Sequence, residues 1–222
     1  MNSDLGAFAT PLRQRPDSGA GRLITVDGVD GSGKSSVVAG IVEELKRRGK
    51  DAMAVDLMTP WVRKHPQFAI LAEDLDAVVQ RRADITALCS ICVGDRLASW
   101  RTRYRALVAE GGWLVVDRYH LTPMSDMLVL GSEPADQGMV RALLELLPKP
   151  DWAFLTDVDA ATAIRRVQAR PDEAAKVQRP DLSVRLVATF AALARVNDVV
   201  RLDTSGSVDV AVARAISVIG GS

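Results

Sequence analysis

Aromatic residues are scarce in this chain, at 5% of 222 positions, and cysteine and histidine occur only twice each. Two cysteines cannot build the disulfide framework that staples small extracellular domains, so a fold must rest on a buried core. Cys89 and Cys92 have C-x-x-C spacing but lie inside a helical pattern, with no second Cys pair and no strand-to-helix turn nearby. That placement argues against a zinc or redox site and for two thiols on a helix face. Net charge is lacking as well, because 28 Lys and Arg balance 28 Asp and Glu. No long-range field then draws the chain to a nucleic-acid polymer or an anionic membrane, and any phosphate affinity must be local. Apolar runs stay far short of the roughly 18 residues of a bilayer span, and no apolar stretch follows the first methionine, so a cytoplasmic location is expected.

What is present is ordinary globular composition, 48% apolar and 25% charged, in a length that suits one domain. Residues 1–21 mix Pro11, Pro16, Gly19 and Gly21 with polar residues and show no apolar period, which predicts a mobile N-terminal arm. From residue 22 to 222 the pattern alternates. Short apolar runs at Leu23–Val26, Ala52–Met58, Trp113–Val116, Trp152–Thr156 and Val199–Leu202 predict five strands. Helical periods fall at Lys34–Arg48, Ile85–Glu110, Met139–Leu147, Ala160–Ala169, Leu182–Val196 and Val208–Ile219. Strands separated by helices imply right-handed crossovers and an α/β doubly wound, five-stranded parallel sheet. Ligands in such sheets sit beyond the carboxyl ends of the strands, where Asp27, Asp56 and Asp117 are expected to converge.

Between the first strand and first helix stands Gly28-Val29-Asp30-Gly31-Ser32-Gly33-Lys34-Ser35, a complete phosphate-loop motif in its required context. Its glycines allow backbone N–H groups to turn inward around phosphate oxygens, and the helix adds its positive end. The pattern predicts ATP and Mg2+ as cofactors, with Lys34 on the β- and γ-phosphates, Ser35 on the metal and Ser36 near the α-phosphate. Directly after the third strand, Asp117 can orient the metal and Arg118 can grip a phosphate bidentately. The basic segment with Arg165, Arg166, Arg170, Lys176 and Arg179 predicts a lid at about 166–180. Arg166 and Arg170, one helical turn apart, are its preferred catalytic pair. His65 and His120 sit at no spacing that phosphoryl transfer demands and are read as surface or loop residues.

Together these residues resemble the thymidylate kinase family of P-loop nucleotide kinases, over about residues 22–219. The resemblance implies that Asp30 approaches the acceptor's sugar, that Arg96 on the helix Leu88–Arg96 serves the acceptor, and that Asp117-Arg118-Tyr119 is the family's D-R-[YH] motif with Arg118 on the acceptor phosphate. It also implies a catalytic arginine from the lid, since Gly31 stands where some members carry one in the loop, and dimers are common among such proteins. Two positions depart from the pattern. Cys92 stands where members usually carry an aromatic ring that stacks on thymine, and Asp56-Leu57-Met58-Thr59-Pro60-Trp61 replaces an arginine-bearing segment.

Three functions stay open. One is transfer of the γ-phosphoryl of ATP to a nucleoside monophosphate such as dTMP. Another is phosphorylation of a hydroxyl on a nucleoside or other small metabolite, for which Asp56 and Trp61 are spaced like the base carboxylate and tryptophan of deoxynucleoside kinases. A third is a non-catalytic nucleotide-binding switch module. In either kinase reading the partner is a small-molecule phosphoryl acceptor, touched by Asp30, Asp56, Trp61, Cys92, Arg96, Arg118 and Tyr119.

Overall fold

The computed structural model describes residues 3–17, 19–66, 68, 84–170 and 179–221. Five parallel strands, β1 (Arg22–Asp27), β2 (Ala52–Val55), β3 (Trp113–Asp117), β4 (Trp152–Asp157) and β5 (Val200–Asp203), form one sheet in the order β2-β3-β1-β4-β5. The chain leaves β1 toward one edge and later returns to β4 on its other side. This reversal opens a crevice at the carboxyl end of β1, the central strand.

Alternation along the strands divides the core into two. Ile24, Val26, Val115, Phe154 and Leu202 face α1 (Lys34–Arg47) and the last helix, Val208–Gly220. Leu23, Leu114, Val116 and Leu155 face the other layer, which holds Ile85–Ser99, Leu121–Leu130, Pro134–Leu144 and Pro180–Val196. In chain order the helices are α1, α2 (Pro60–Arg63), α3 (Ile85–Ser99), α4 (Arg105–Ala109), α5 (Leu121–Leu130), α6 (Pro134–Leu144), α7 (Ala160–Gln168), α8 (Pro180–Val196) and α9 (Val208–Gly220) among the described residues. Because both sheet faces are covered, the strands read as continuous apolar runs.

The helical stretch expected from Ile85 to Glu110 is present but carries a π turn, Trp100–Tyr104, between α3 and α4. Asp84 starts it by accepting a hydrogen bond from the Ala87 amide at 3.1 Å. Helix α5 has no amphipathic signal because it is buried almost all round, which hides it from a periodicity reading. Its N-terminus lacks a local side-chain cap. Asp27, at the end of β1, accepts instead from the amides of Tyr119 (2.9 Å), Leu121 (3.4 Å) and Thr122 (3.1 Å) and from the Thr122 hydroxyl (2.7 Å). Asp27 is therefore a buried structural cap beneath the crevice, not one of its free carboxylates.

The N-terminal segment is docked where a mobile arm is expected. Leu5 and Phe8 are buried in the α5–α6–α8 core. Gln137 accepts from the Ala7 amide at 3.1 Å, and Asn197 accepts from the Leu12 amide at 3.0 Å. Arg141 donates to the carbonyls of Ala7 (2.8 Å), Thr10 (2.9 Å) and Pro11 (2.6 Å). An irregular segment needs no apolar period when helices more than a hundred residues away supply its hydrogen bonds.

Candidate active site

The loop between β1 and α1 curls because Gly28, Gly31 and Gly33 all take positive φ, of 151°, 79° and 86°. A Cβ on Gly31 would stand 2.1 Å from the Ala163 carbonyl oxygen on α7, so the close approach of that helix requires glycine. Ser32 is buried, and its hydroxyl shares a 2.6 Å hydrogen bond with that of Thr156 on β4, which pins the loop to the sheet. Gly33, left-handed, precedes α1 with no side-chain cap. The first amides of α1 and the exposed Ser35 and Ser36 thus face outward as an anion site.

Lys34 is 6% exposed and folds back onto its own loop, donating to the Val29 carbonyl at 2.7 Å, with Asp30 at 3.9 Å. Burial, and then the Arg118 guanidinium beside it, lower its pKa to about 7. Across the loop Ser35 donates to Asp117 Oδ2 at 2.9 Å. The other carboxylate oxygen, Oδ1, is buried and has no partner among the described residues. A hydroxyl and an ionisable carboxylate with one orphaned oxygen fit a hard divalent cation such as magnesium.

Arg118 adopts φ 66°, unusual for a residue with a Cβ. This bend turns its guanidinium back over the loop, where it pairs with Asp30 and approaches the Gly28 carbonyl at 3.5 Å. Arg96, on α3, is 3% exposed, and its Nη1 has no hydrogen-bond partner among the described residues. A buried cation left unpaired is costly, so this guanidinium is poised for an anion.

The other expected site residues make the following contacts. Tyr119 is fully buried and donates its hydroxyl to the Pro148 carbonyl at 2.8 Å, so it is a core residue and not an acceptor contact. Its neighbour His120, expected at the surface or in a loop, lies in the loop before α5 but is only 3% exposed; it stacks edge-on against the Tyr119 ring, and burial lowers its pKa. Asp56 accepts from the Met58 amide at 2.9 Å and pairs with Arg63. Trp61 is 65% exposed with its ring edge toward His65. Cys92 is half-buried with its thiol 3.8 Å from the Met58 sulfur, and Cys89 is buried; burial raises both thiols, as suits inert helix-face residues.

Arg166 donates to the carbonyls of Thr204 (2.9 Å) and Ser205 (3.2 Å), which ties α7 to the loop after β5. Arg170 is exposed just beyond α7. Residues 171–178 of the expected lid, with Lys176, lie outside the described residues. Asp126 on α5, absent from the expected set, is half-buried and lies in the electrostatic reach of Arg118, Asp30, Arg96 and Asp27. Burial pushes its pKa up to about 6, against the pull of Arg118. One charge on an otherwise apolar helix is the signal that could have found it.

A central-strand phosphate loop, an uncapped helix start, a buried lysine and a Ser–Asp pair at the sheet's open end define the P-loop phosphotransferases. Comparison with known proteins narrows the class, since the sequence profile of the thymidylate kinase family matches residues 26–215. The chain belongs to the thymidylate kinase family. Among its relatives, thymidylate kinase of Chromohalobacter salexigens is 29% identical over 162 residues, 72% of this chain and 74% of the relative. The thymidylate kinase of Akkermansia muciniphila is 26% identical over 151 residues, 68% of each chain. That of Alcanivorax borkumensis is 28% identical over 157 residues, 68% of this chain and 71% of the relative.

Proposed function

We propose that the protein transfers the γ-phosphoryl group of ATP to a nucleoside monophosphate, dTMP or a close analogue, with magnesium as its metal and the cytoplasm as its setting. The observation that carries this reading is two guanidiniums, Arg118 turned back over the loop and Arg96 buried on α3. Arg96 has a buried nitrogen without a partner among the described residues. Two such groups suit an acceptor that is itself an anion. A monophosphate is already an ionised nucleophile and needs alignment more than a base.

Within this reading the loop amides and the start of α1 bind the donor's phosphates, and Lys34 leaves the Val29 carbonyl to bind the β- and γ-phosphates. Ser35 and Asp117 would hold the metal, which neutralises phosphate charge when bound. Arg118 orients the acceptor phosphate, and Asp30, its partner, steadies the guanidinium. Arg166 and Arg170 are the arginines that would meet charge developing on the transferred group. The partners are small molecules, with no nucleic-acid polymer or membrane among them, and the chain pairs as a homodimer; light scattering checks the last point.

The direct test is ADP release, coupled to an optical readout, against a panel of nucleoside monophosphates. Stimulation by at least one is expected, and no stimulation by any sinks the reading. The oriented carboxylate of Asp56 favours a second reading, a hydroxyl acceptor with Asp56 as base. It predicts that Asp56→Asn loses most of kcat and keeps its ATP affinity; an unaffected variant removes it.

A further inference from the structure

A basic cavity of about 740 Å³ lies outside the site described above. It opens between the docked N-terminal segment, the π turn Trp100–Tyr104 and the residues just past α6. Its walls belong to segments that lead into β1, β3 and β4, whereas the phosphate loop leaves the opposite end of β1. Pockets of roughly 300–1,000 Å³ hold ligands of cofactor size.

Four guanidiniums and two carboxylates line this cavity. Arg13 and Arg15 come from the N-terminal segment, Arg101 and Arg105 from the π turn and the start of α4, so only the fold unites the two pairs. Arg13 and Arg15 are exposed and alternate with the half-buried Leu12 and Gln14, which puts both on the outer side of their segment. Arg101 and Arg105, four residues apart, share one face of a helical stretch. On a mobile arm these charges would spread into solvent. Here the backbone that carries them is pinned: Glu145 accepts from the Arg13 amide at 3.2 Å, Gln14 donates to the Leu144 carbonyl at 3.2 Å, and the Arg15 carbonyl accepts from the Lys149 amide at 2.8 Å.

The two carboxylates do not neutralise the four cations. Asp17 pairs with Arg105 at 3.4 Å, and Glu145 pairs at 3.0 Å with Arg141, which is not in the cavity wall. The guanidiniums of Arg13, Arg15 and Arg101 make no hydrogen bond or ion pair with any described residue. In a chain of zero net charge, this is a local excess of positive charge around a concave surface. Leu146, 54% exposed, and Pro16 add apolar wall beside the arginines.

We propose that this cavity is a second anion site, which binds an oligophosphate through Arg13, Arg15 and Arg101. Three separate guanidiniums match several phosphate groups better than one, because each can fork onto its own pair of oxygens. Inorganic oligophosphate and a nucleoside triphosphate share that chemistry. Only the nucleotide also gains from the apolar wall. The site exists whatever the acceptor of the reaction proposed above.

The experiment takes the full chain labelled with 5-fluorotryptophan, in excess magnesium at about 0.15 M salt, where loose surface charges are screened. Saturating Mg·ADP occupies the phosphate loop. Trp100 is 4% exposed in the cavity wall, and its fluorine resonance, assigned with Trp100→Phe, reports the cavity. Inorganic tripolyphosphate and GTP are titrated separately. At least one should shift that resonance saturably, with Kd at or below about 1 mM. In Arg15→Ser/Arg101→Ser the affinity should fall about tenfold or more, while Arg103→Ser, an exposed arginine of the same turn outside the cavity wall, stays within about twofold. Unchanged Mg·ADP affinity establishes that the variants are folded. Tighter binding of GTP than of tripolyphosphate assigns the site to nucleotides, and equal or weaker binding assigns it to the phosphates alone. No saturable shift with either probe, or an equal loss in Arg103→Ser, overturns the proposal.

Discussion

Nucleotide binding should draw a proton from solvent, and Lys34 is the group that takes it. In the free protein its pKa is about 7, against an ordinary 10.5. At pH 8 only about a tenth of the molecules then carry the lysine proton, and at pH 7 about half do. Phosphate oxygens beside the ammonium favour its charged form, so the bound pKa returns toward the ordinary range. Uptake on binding ADP is therefore about 0.9 proton at pH 8, about 0.5 at pH 7 and about 0.1 at pH 6. Titration calorimetry in buffers of different ionisation heat measures this number directly, and the same titration of Lys34→Met removes the nucleotide's own contribution. Stability carries the same signature. Between pH 7 and 10.5 the unfolded chain holds a proton that native Lys34 has lost, so the free protein gains stability as pH rises through that window. The burial penalty, in full force below pH 7, is on the order of 5 kcal/mol. Uptake below about 0.2 proton at pH 8, or equal uptake in Lys34→Met, would refute the assignment.

Phe8→Ala should cost about 3–5 kcal/mol in urea unfolding, because its ring is fully buried, whereas a mobile arm would show no change. Gly31→Ala should cost more than about 2 kcal/mol and weaken ATP binding, since its Cβ meets the Ala163 carbonyl at positive φ; a thermal melt and a nucleotide titration read both effects. Asp117→Asn should raise the magnesium concentration for half-maximal activity by about 10- to 100-fold while leaving metal-free nucleotide binding within about twofold. Asp27→Asn should lower stability by about 1–3 kcal/mol, because an amide cannot accept all the hydrogen bonds that cap α5.

Local chemistry was enough to read the phosphate loop, whose glycines, lysine and serine must be contiguous to surround an anion, and the alternation of apolar runs with helical periods that led to a parallel sheet. Those features depend on neighbours within one or two turns, so one stretch of sequence contains them. Orientation is a different matter. Asp27 and Asp117 both end apolar strands, yet one is buried under four donors from the start of α5 and the other meets Ser35 in the crevice. Tyr119 follows a site arginine and still points into the core, where its hydroxyl donates to the Pro148 carbonyl. Leu5 and Phe8 are held by helices that begin more than a hundred residues later. Residue types and spacings thus determined the sheet and the glycine loop at its centre, while the meeting of distant elements decided which side chains face the crevice, since a side chain's direction at an element's end is set by what packs against it.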